Sequence, residues 1–338
     1  MSADVTESAA ASHRHAGRVT LSAVRVVWAV AAGIVALTAV VMLTQFAGWD
    51  GVTVVVPVLH VLTPYLGVAT AAVAVAALVA RRLPLATAAT AVGMSVVLFG
   101  LPVLFPGNQA PVAEGSTGLR VGAVNLLYRN QRIDDVAAEL IALDADVLAL
   151  SEFTGAHRRG LEAAGVADAF PHRIERPHDG PTGIAVWSRF PMVEATPPDT
   201  YTESLDVTVD GPDGAVRIVA VHLQSPVADA GRWAEDHDLI VDVARGIDGP
   251  TLIAGDFNSG YWHPAFRRLL DAGLTDAHIA LGQGMTTSWP AHLAGIPEFV
   301  RLDHALVGGG LVATAVGDVE APGSDHRGVV VSVAPAAR

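Results

Sequence analysis

Six places in this chain combine an apolar run with side chains able to do chemistry: Asn125, Glu152, His222, Asp256 with Asn258, Asp303, and Asp325 with His326. Their types form a coherent set. Magnesium and manganese take hard oxygen ligands, usually one or two carboxylates completed by water and substrate phosphate. Asn125, Glu152 and Asp325 supply such oxygens. A cation held there polarises a phosphoryl oxygen and offsets charge developing in the transition state. Asp256 and Asn258, within Gly255-Asp256-Phe257-Asn258, suit the holding and activation of a water. Asp303 can orient His326 through a ring nitrogen, and His222 can donate to phosphate. The set points to Mg2+- or Mn2+-assisted hydrolysis of a phosphoester. Competing chemistries lack their residues: there is no HExxH, no GxSxG, no Walker A loop, and no cysteine to act as nucleophile, thiolate ligand or disulfide partner.

These residues sit at the ends of elements that the pattern predicts. Strands are expected at Leu119–Leu126, Val147–Leu150, Gly183–Trp187, Arg217–Val221, Leu252–Ala254, Val300–Val307 and Gly328–Val333. Helices are expected at Ile133–Leu143, with Asp134 and Asp135 in the first turn, and at Ala230–Ala244 and Pro264–Ala272. Apolar strands that end together gather their polar tips on one rim, as α/β folds do at their active sites.

The first third of the chain reads differently. Residues 26–49 and 83–113 carry no charged side chain, and residues 51–80 carry only His60. A spanning helix needs about 20 apolar residues, so three transmembrane helices are expected: Val26–Phe46, Val58–Ala80 and Leu85–Phe105. Arg14, Arg18 and Arg25 precede the first, and Arg81 and Arg82 separate the second from the third. The positive-inside rule puts those arginines in the cytoplasm. The expected layout is a cytoplasmic tail (residues 1–25), a transmembrane region (26–105), a linker (106–118) and an extracytoplasmic domain (119–338), with the bilayer as a partner. His60 reads as helix-end packing.

Residues 115–338 hold 16 Arg and 30 Asp or Glu, a net of −14, with no basic run longer than two. A protein that grips long nucleic acid usually shows a basic face, so no stable nucleic-acid partner is expected.

The ordered motifs resemble the endonuclease/exonuclease/phosphatase superfamily, the DNase I-like proteins. The matching stretches are Val124-Asn125, Leu150-Ser151-Glu152, Val186-Trp187-Ser188-Arg189-Phe190-Pro191, Val221-His222-Leu223 and Ala254-Gly255-Asp256-Phe257-Asn258. They continue with Thr287-Ser288-Trp289-Pro290, Arg301-Leu302-Asp303-His304 and Gly323-Ser324-Asp325-His326-Arg327. The resemblance implies a four-layered α/β sandwich. It makes Asn125 and Glu152 metal-binding, with Asp325 on the metal side, and has Asp256 and Asn258 position the water. It also pairs Asp303 with His326 and puts His222 on phosphate. Two positions depart from the pattern. Pro181-Thr182 stands where a Tyr or acid often supports the first histidine, which leaves the partner of His222 open, and Gly328 stands where a Pro often follows the last motif. The whole-chain layout also resembles bacterial membrane proteins with three N-terminal spans and an outward-facing domain of this family, some of them linked to teicoplanin resistance. That implies a lipid-linked phosphate substrate.

The functional expectation is a membrane-anchored phosphoesterase. A surface nuclease is the alternative, and a catalytically dead binding module is a rival that the intact polar set argues against. The other groups read as structural. His13, His15, His157, His172, His178, His237, His278 and His292 read as exposed, Asp134-Asp135 and Glu235-Asp236-Asp238 as solvated helix charge, and Trp289-Pro290 as packing. Trp262 and His263 suit either the substrate groove or packing of the next helix.

Overall fold

A computed structural model describes residues 3–50, 53–107 and 109–337. The chain forms two compact units, Met1–Ala47 with Leu62–Gly100, and Gly48–Val61 with Leu101–Arg338.

The first unit is helical: α1 is Ala3–Phe46, and α3 (Thr63–Val79) and α4 (Leu83–Phe99) follow the short α2 (Val55–Val61), which belongs to the second unit. Its interior mixes alanines and valines with a few polar groups. Ala31, Val35, Val73 and Ala89 cluster, Thr38 and Thr70 share a hydroxyl hydrogen bond of 2.8 Å, and Gln45 Nε2 donates to Thr63 Oγ1 at 3.1 Å. Outward-facing Val27, Leu43, Val68, Val75 and Leu78 are exposed.

Three unbroken spans are not found. One helix, Ser22–Phe46, is long and apolar enough to cross a membrane. The second expected span is broken into α2 and α3 with a 62° bend, because Pro64 has no N–H to give to the carbonyl of residue 60. The third is only 17 residues long, about 25 Å against the roughly 30 Å of a hydrocarbon core. It stops at Gly100, before the short α5 (Leu101–Leu104). By length and composition the described chain has one candidate span, or two if the bent pair is one.

Among the described residues, the second unit contains twelve strands. In chain order these are β1 (Leu119–Asn125), β2 (Val147–Ser151), β3 (His172–Arg176), β4 (Ile184–Ser188), β5 (Met192–Glu194) and β6 (Ser204–Gly211). They continue with β7 (Gly214–His222), β8 (Thr251–Asp256), β9 (Thr275–Asp276), β10 (Asp303–Gly308), β11 (Leu311–Val319) and β12 (Gly328–Pro335). They make two six-stranded sheets, ordered β11-β12-β1-β2-β4-β3 and β5-β6-β7-β8-β10-β9. Each sheet holds one parallel pair at its centre, β1 with β2 and β7 with β8.

Side chains alternate across each strand with period two. Val121, Ala123, Val147, Ala149 and Val186 of one sheet meet Val207, Ile218, Ala220, Leu252 and Ala254 of the other. On the outer face of the first sheet, Val124, Leu148, Leu150 and Trp187 pack under α6 (Ile133–Ala142) and α7 (Gly155–Ala163). On the outer face of the second, Val219, Val221, Ile253 and Leu306 pack under α8 (Ala230–Arg245) and α9 (Pro264–Asp271). A last short helix, α10, is Ala277–Ala280. The result is the four-layered α/β sandwich.

Strands β3, β5, β6, β9 and β11, and helices α7 and α10, go beyond the elements expected from the sequence. Residues 109–113, within the expected linker 106–118, are laid along the sheet: Ala113 N–H donates to Pro335 O (2.9 Å), Ala337 N–H to Pro111 O (2.7 Å), and Ala313 N–H to Gln109 Oε1 (3.0 Å). His60 is fully buried and sits edge-on to His263 at 6.3 Å, in keeping with a packing role.

Gly255 marks where the second sheet admits no side chain. Its φ is +144°, and a Cβ there would stand 1.9 Å from Val221 O on β7. We predict that Gly255→Ala lowers stability by about 3 kcal/mol or more. Gly273→Ala, with φ +102° and open space around it, should cost visibly less. Thermal melting of the detergent-solubilised protein checks this, and equal shifts for the two variants would contradict it.

Candidate active site

The strand register brings the polar tips to one rim. Asn125 stands opposite Ser151, the residue before Glu152. Asp256 stands opposite both His222 on β7 and Asp303 on β10. His326 lies two residues before β12.

The side chains of Asn125, Glu152, His222, Asp256, Asp303 and His326 are buried, Asp256 and Asp303 to 1 % exposure and Glu152 to 8 %. Asn125 Nδ2 donates to Glu152 Oε1 and to Asp256 Oδ2, each at 3.1 Å. His222 Nε2 lies 3.7 Å from the same Asp256 oxygen and 4.0 Å from the same Glu152 oxygen. Its other nitrogen answers a question the sequence left open: Nδ1 donates to the backbone carbonyl of Pro181 at 3.0 Å. A backbone oxygen thus stands in for the side-chain partner that the sequence lacks.

His326 has a carboxylate oxygen at each ring nitrogen, Nδ1 donating to Asp303 Oδ2 at 2.9 Å and Nε2 lying 3.6 Å from Asp256 Oδ2. Burial opposes charge on this ring, but Asp303 and Asp256 outweigh it and push its pKa up to about 10. Burial raises the pKa of Asp303, and the positive His326 ring offsets part of that rise. Two serines fix the pair. Ser288 Oγ donates to Asp303 Oδ2 (2.7 Å) and accepts from the N–H groups of Leu302 and Asp303. Ser324 Oγ donates to Asn125 O (2.8 Å) and accepts from His326 N–H. Behind them His304, part of the Arg301-Leu302-Asp303-His304 motif but given no role from sequence, bonds Asp276 at 2.6 Å. Burial would raise the pKa of Asp276, yet the charge and hydrogen bond of His304 bring it down to about 2.

The backbone is strained around this point. Leu127, Glu152 and Asn258 have φ values of 58°, 52° and 48°, in the left-handed region that non-glycine residues rarely enter. Local bonds hold them there: Leu127 N–H to Asn125 Oδ1 (3.0 Å), Tyr128 N–H to Glu152 Oε2 (2.9 Å), and Asn258 N–H to Asp256 Oδ1 (2.8 Å). The Asn258 amide donates to Leu223 O at 2.9 Å and lies 3.5 Å from Asp256 Oδ2.

The donor set fits a divalent cation. Glu152, Asp256 and Asp303 bring three buried carboxylates to one place, and burying such charge without compensation is costly. Oxygens of Glu152 and Asp256 already converge on the same amide and imidazole nitrogens. Asp256, Asp303 and His326 also offer ligand atoms within 4.8 Å of one another. With both ring nitrogens facing carboxylates, however, His326 is a proton holder, so the Glu152–Asp256 side is the better place for a metal. Asn125 turns its amide nitrogen to that place, while its oxygen takes Leu127 N–H. Asp325 is half-buried and accepts from Trp289 Nε1 at 3.4 Å, which joins Trp289 to the site.

Several groups expected on the surface are inside. His157, His237 and His278 are buried. His157 closes a capping box with Thr154 at the start of α7, and His237 bonds Trp233 O (2.7 Å) and Ser259 Oγ (2.6 Å). His278 lies beside Asp318 at 3.6 Å. Asp236 is also buried, accepting from the N–H groups of Tyr201 and Gln224. His178 and His292 are exposed and His172 is half-exposed. The side chains of His13 and His15 lie outside the described residues. His263 is buried and bonds backbone, accepting from Gly260 N–H at 3.0 Å.

Solved structures share this fold. TDP2 from D. rerio, complexed with single strand DNA product, superposes with a TM-score of 0.52 at 16 % identity, over 64 % of this chain and 99 % of that one. An endonuclease/exonuclease/phosphatase from Bacteroides vulgatus gives 0.51 at 15 % identity, over 65 % and 99 %. The human Nocturnin catalytic domain with bound sulfate anion gives 0.50 at 18 % identity, over 67 % and 98 %. No curated protein matches the chain significantly. Residues 120–326, more than half of the chain, match the endonuclease/exonuclease/phosphatase family and take in the whole of the polar rim. The chain belongs to that family.

Proposed function

We propose that this protein is a membrane-anchored phosphoesterase, dependent on Mg2+ or Mn2+, that hydrolyses a lipid-linked phosphate on the extracytoplasmic face. The observation that carries the chemistry is the convergence of Glu152, Asp256, His222 and the Asp303–His326 pair on one buried point. The anchoring rests on the apolar α1 and on the outward apolar faces of the helical unit. The orientation rests on the arginine distribution.

Glu152 and Asp256 are the residues that would hold the cation, which when bound offsets the charge of the substrate phosphate. Asp256, its Oδ1 fixed by Asn258 N–H, takes the proton of the attacking water. His326 stays protonated and donates a hydrogen bond from Nε2 to the phosphoryl or leaving oxygen, while Asp303 holds the ring by Nδ1. His222, aimed by the Pro181 carbonyl, presents Nε2 to the phosphate. The net of −14 in residues 115–338 disfavours a long polyanion over a small phosphate headgroup.

The test is a rate comparison on the full-length protein in detergent at physiological salt, with polyprenyl and glycerolipid phosphates set against plasmid DNA. Release from a lipid phosphate is expected. Chelation should abolish it, Mg2+ or Mn2+ should restore it, and Asp256→Asn should lower kcat on the order of a hundredfold. Fast plasmid degradation without release from any lipid would establish the nuclease reading instead, and full activity in metal-free protein would remove the mechanism. For orientation, a reporter active only outside the cytoplasm should work when fused after Gly118 and stay silent at Arg82. The reverse pattern would place the substrate inside the cell.

A further inference from the structure

The loop that follows the second sheet's catalytic tip, residues 257–263, is held by a segment from far earlier in the chain. Gly48–Val61 folds as part of the catalytic unit, although it lies well before the family region 120–326.

The contact begins at α9, which starts where the loop ends. The first N–H groups of a helix have no partner within it and usually take a side chain of the preceding residue. His263 occupies that position and makes no such bond. Asp50 supplies the acceptor instead, its Oδ1 accepting from Ala265 N–H at 3.3 Å. A carboxylate also suits the positive end of the helix. The other oxygen of Asp50 binds Arg268 Nη1 at 3.1 Å, and the residue is 7 % exposed.

His263 is thereby free to face the loop. Its Nδ1 accepts from Gly260 N–H at 3.0 Å, and its Nε2 donates to Pro57 O at 3.2 Å. Burial, with the charges of His60 and His237, lowers its pKa to about 3, so the ring is neutral and this donor–acceptor assignment is the one it holds. Upstream, Ser259 Oγ meets His237 at 2.6 Å, and Asn258 O accepts from Trp233 Nε1 at 3.0 Å. Hydrogen bonds thus run from Pro57 through His263 to Gly260, the backbone continues through Ser259 to Asn258, and Asn258 N–H bonds Asp256.

We propose that Asp50 and the Pro57 carbonyl form a built-in positioning element of the active site, setting the loop that orients Asp256 and Asn258. Neither residue touches the reacting atoms. The proposal rests on the site reading above, so its test includes a measurement that needs no turnover.

Wild type, Asp50→Ala, Asp50→Asn, Asp256→Asn and Asp213→Ala would be compared as full-length protein in detergent with Mg2+. Asp213 serves as the control because it binds the N–H groups of Thr117 and Gly118, outside this network. The readouts are kcat and KM on one phosphoester, and amide hydrogen exchange. Asp50→Ala should lower kcat on the order of tenfold with little change in KM, as misplacement of a reacting group does, and should speed exchange at residues 257–268 alone. Asp50→Asn keeps an acceptor for Ala265 N–H and should recover part of both effects, while Asp213→Ala should alter neither. Wild-type kcat with unchanged loop exchange in Asp50→Ala would overturn the proposal. If Asp50→Ala fails to fold, Asp50→Asn decides: exchange raised evenly over the whole unit would overturn it too. Wild-type activity in Asp256→Asn would instead overturn the site reading, leaving the exchange pattern to judge the role of Asp50.

Discussion

Three buried carboxylates, Glu152, Asp256 and Asp303, meet at one rim of the sandwich, and the rest of the molecule is arranged around keeping them there. Like charges in a low-dielectric place repel, and each loses its hydration. The compensation is local. The Asn125 amide bridges two of the acids, His326 stands between two of them, and His222 faces two. What remains uncompensated is negative charge, which fits a divalent cation; a phosphate would be drawn there only by the cation and the histidines. The left-handed backbone at Leu127, Glu152 and Asn258 belongs to the same arrangement, because each strained residue adjoins an acid or amide that its neighbouring N–H groups pin in place.

The two sheets supply the rigidity this needs. Each has a central parallel pair buried on both faces, with helices outside and the other sheet inside. The tips of β1, β2, β7 and β8 therefore cannot shift without disturbing a packed core. Gly255 and Gly183 show how close that packing is: a Cβ at either would fall about 2 Å from a backbone carbonyl, of Val221 and Phe153 respectively. The Pro181 carbonyl that aims His222 comes from the turn just before Gly183. The same close approach therefore brings a partner to that histidine without a dedicated side chain.

The central strands were legible because burial on both faces leaves a continuous apolar run, and their polar tips stand out against it. Strands with one wetter face were harder to see. In β6, Leu205, Val207 and Val209 alternate with Asp206, Thr208 and Asp210, a weaker signal than a run of valines. His157, His237, His278 and Asp236 were misplaced for another reason. For His237 and Asp236 the partners that allow burial are distant in sequence, Ser259 and the backbone of Tyr201 and Gln224, and no local pattern reveals them. His157 is held instead by nearby Thr154, in a capping box with His where Glu or Gln is usual. Asp50 is the extreme case, a loop aspartate whose helix begins at Pro264. In the helical unit, composition gave three apolar stretches correctly, but local prolines and glycines decide where a helix stops. Pro64 and Gly100 divide stretches that hydropathy alone reads as continuous.

The central claim is that Asp303 and His326 act as one unit at the buried rim. Its most direct test is the kcat of His326→Ala, Asp303→Asn and the double variant on a single phosphoester, with the fold of each verified by its melting curve. Each single change should lower kcat on the order of a hundredfold, and the double variant should be no slower than the slower single one, because a pair that works through one proton is lost once. Losses that multiply in the double variant would show the two residues acting independently and would contradict the account.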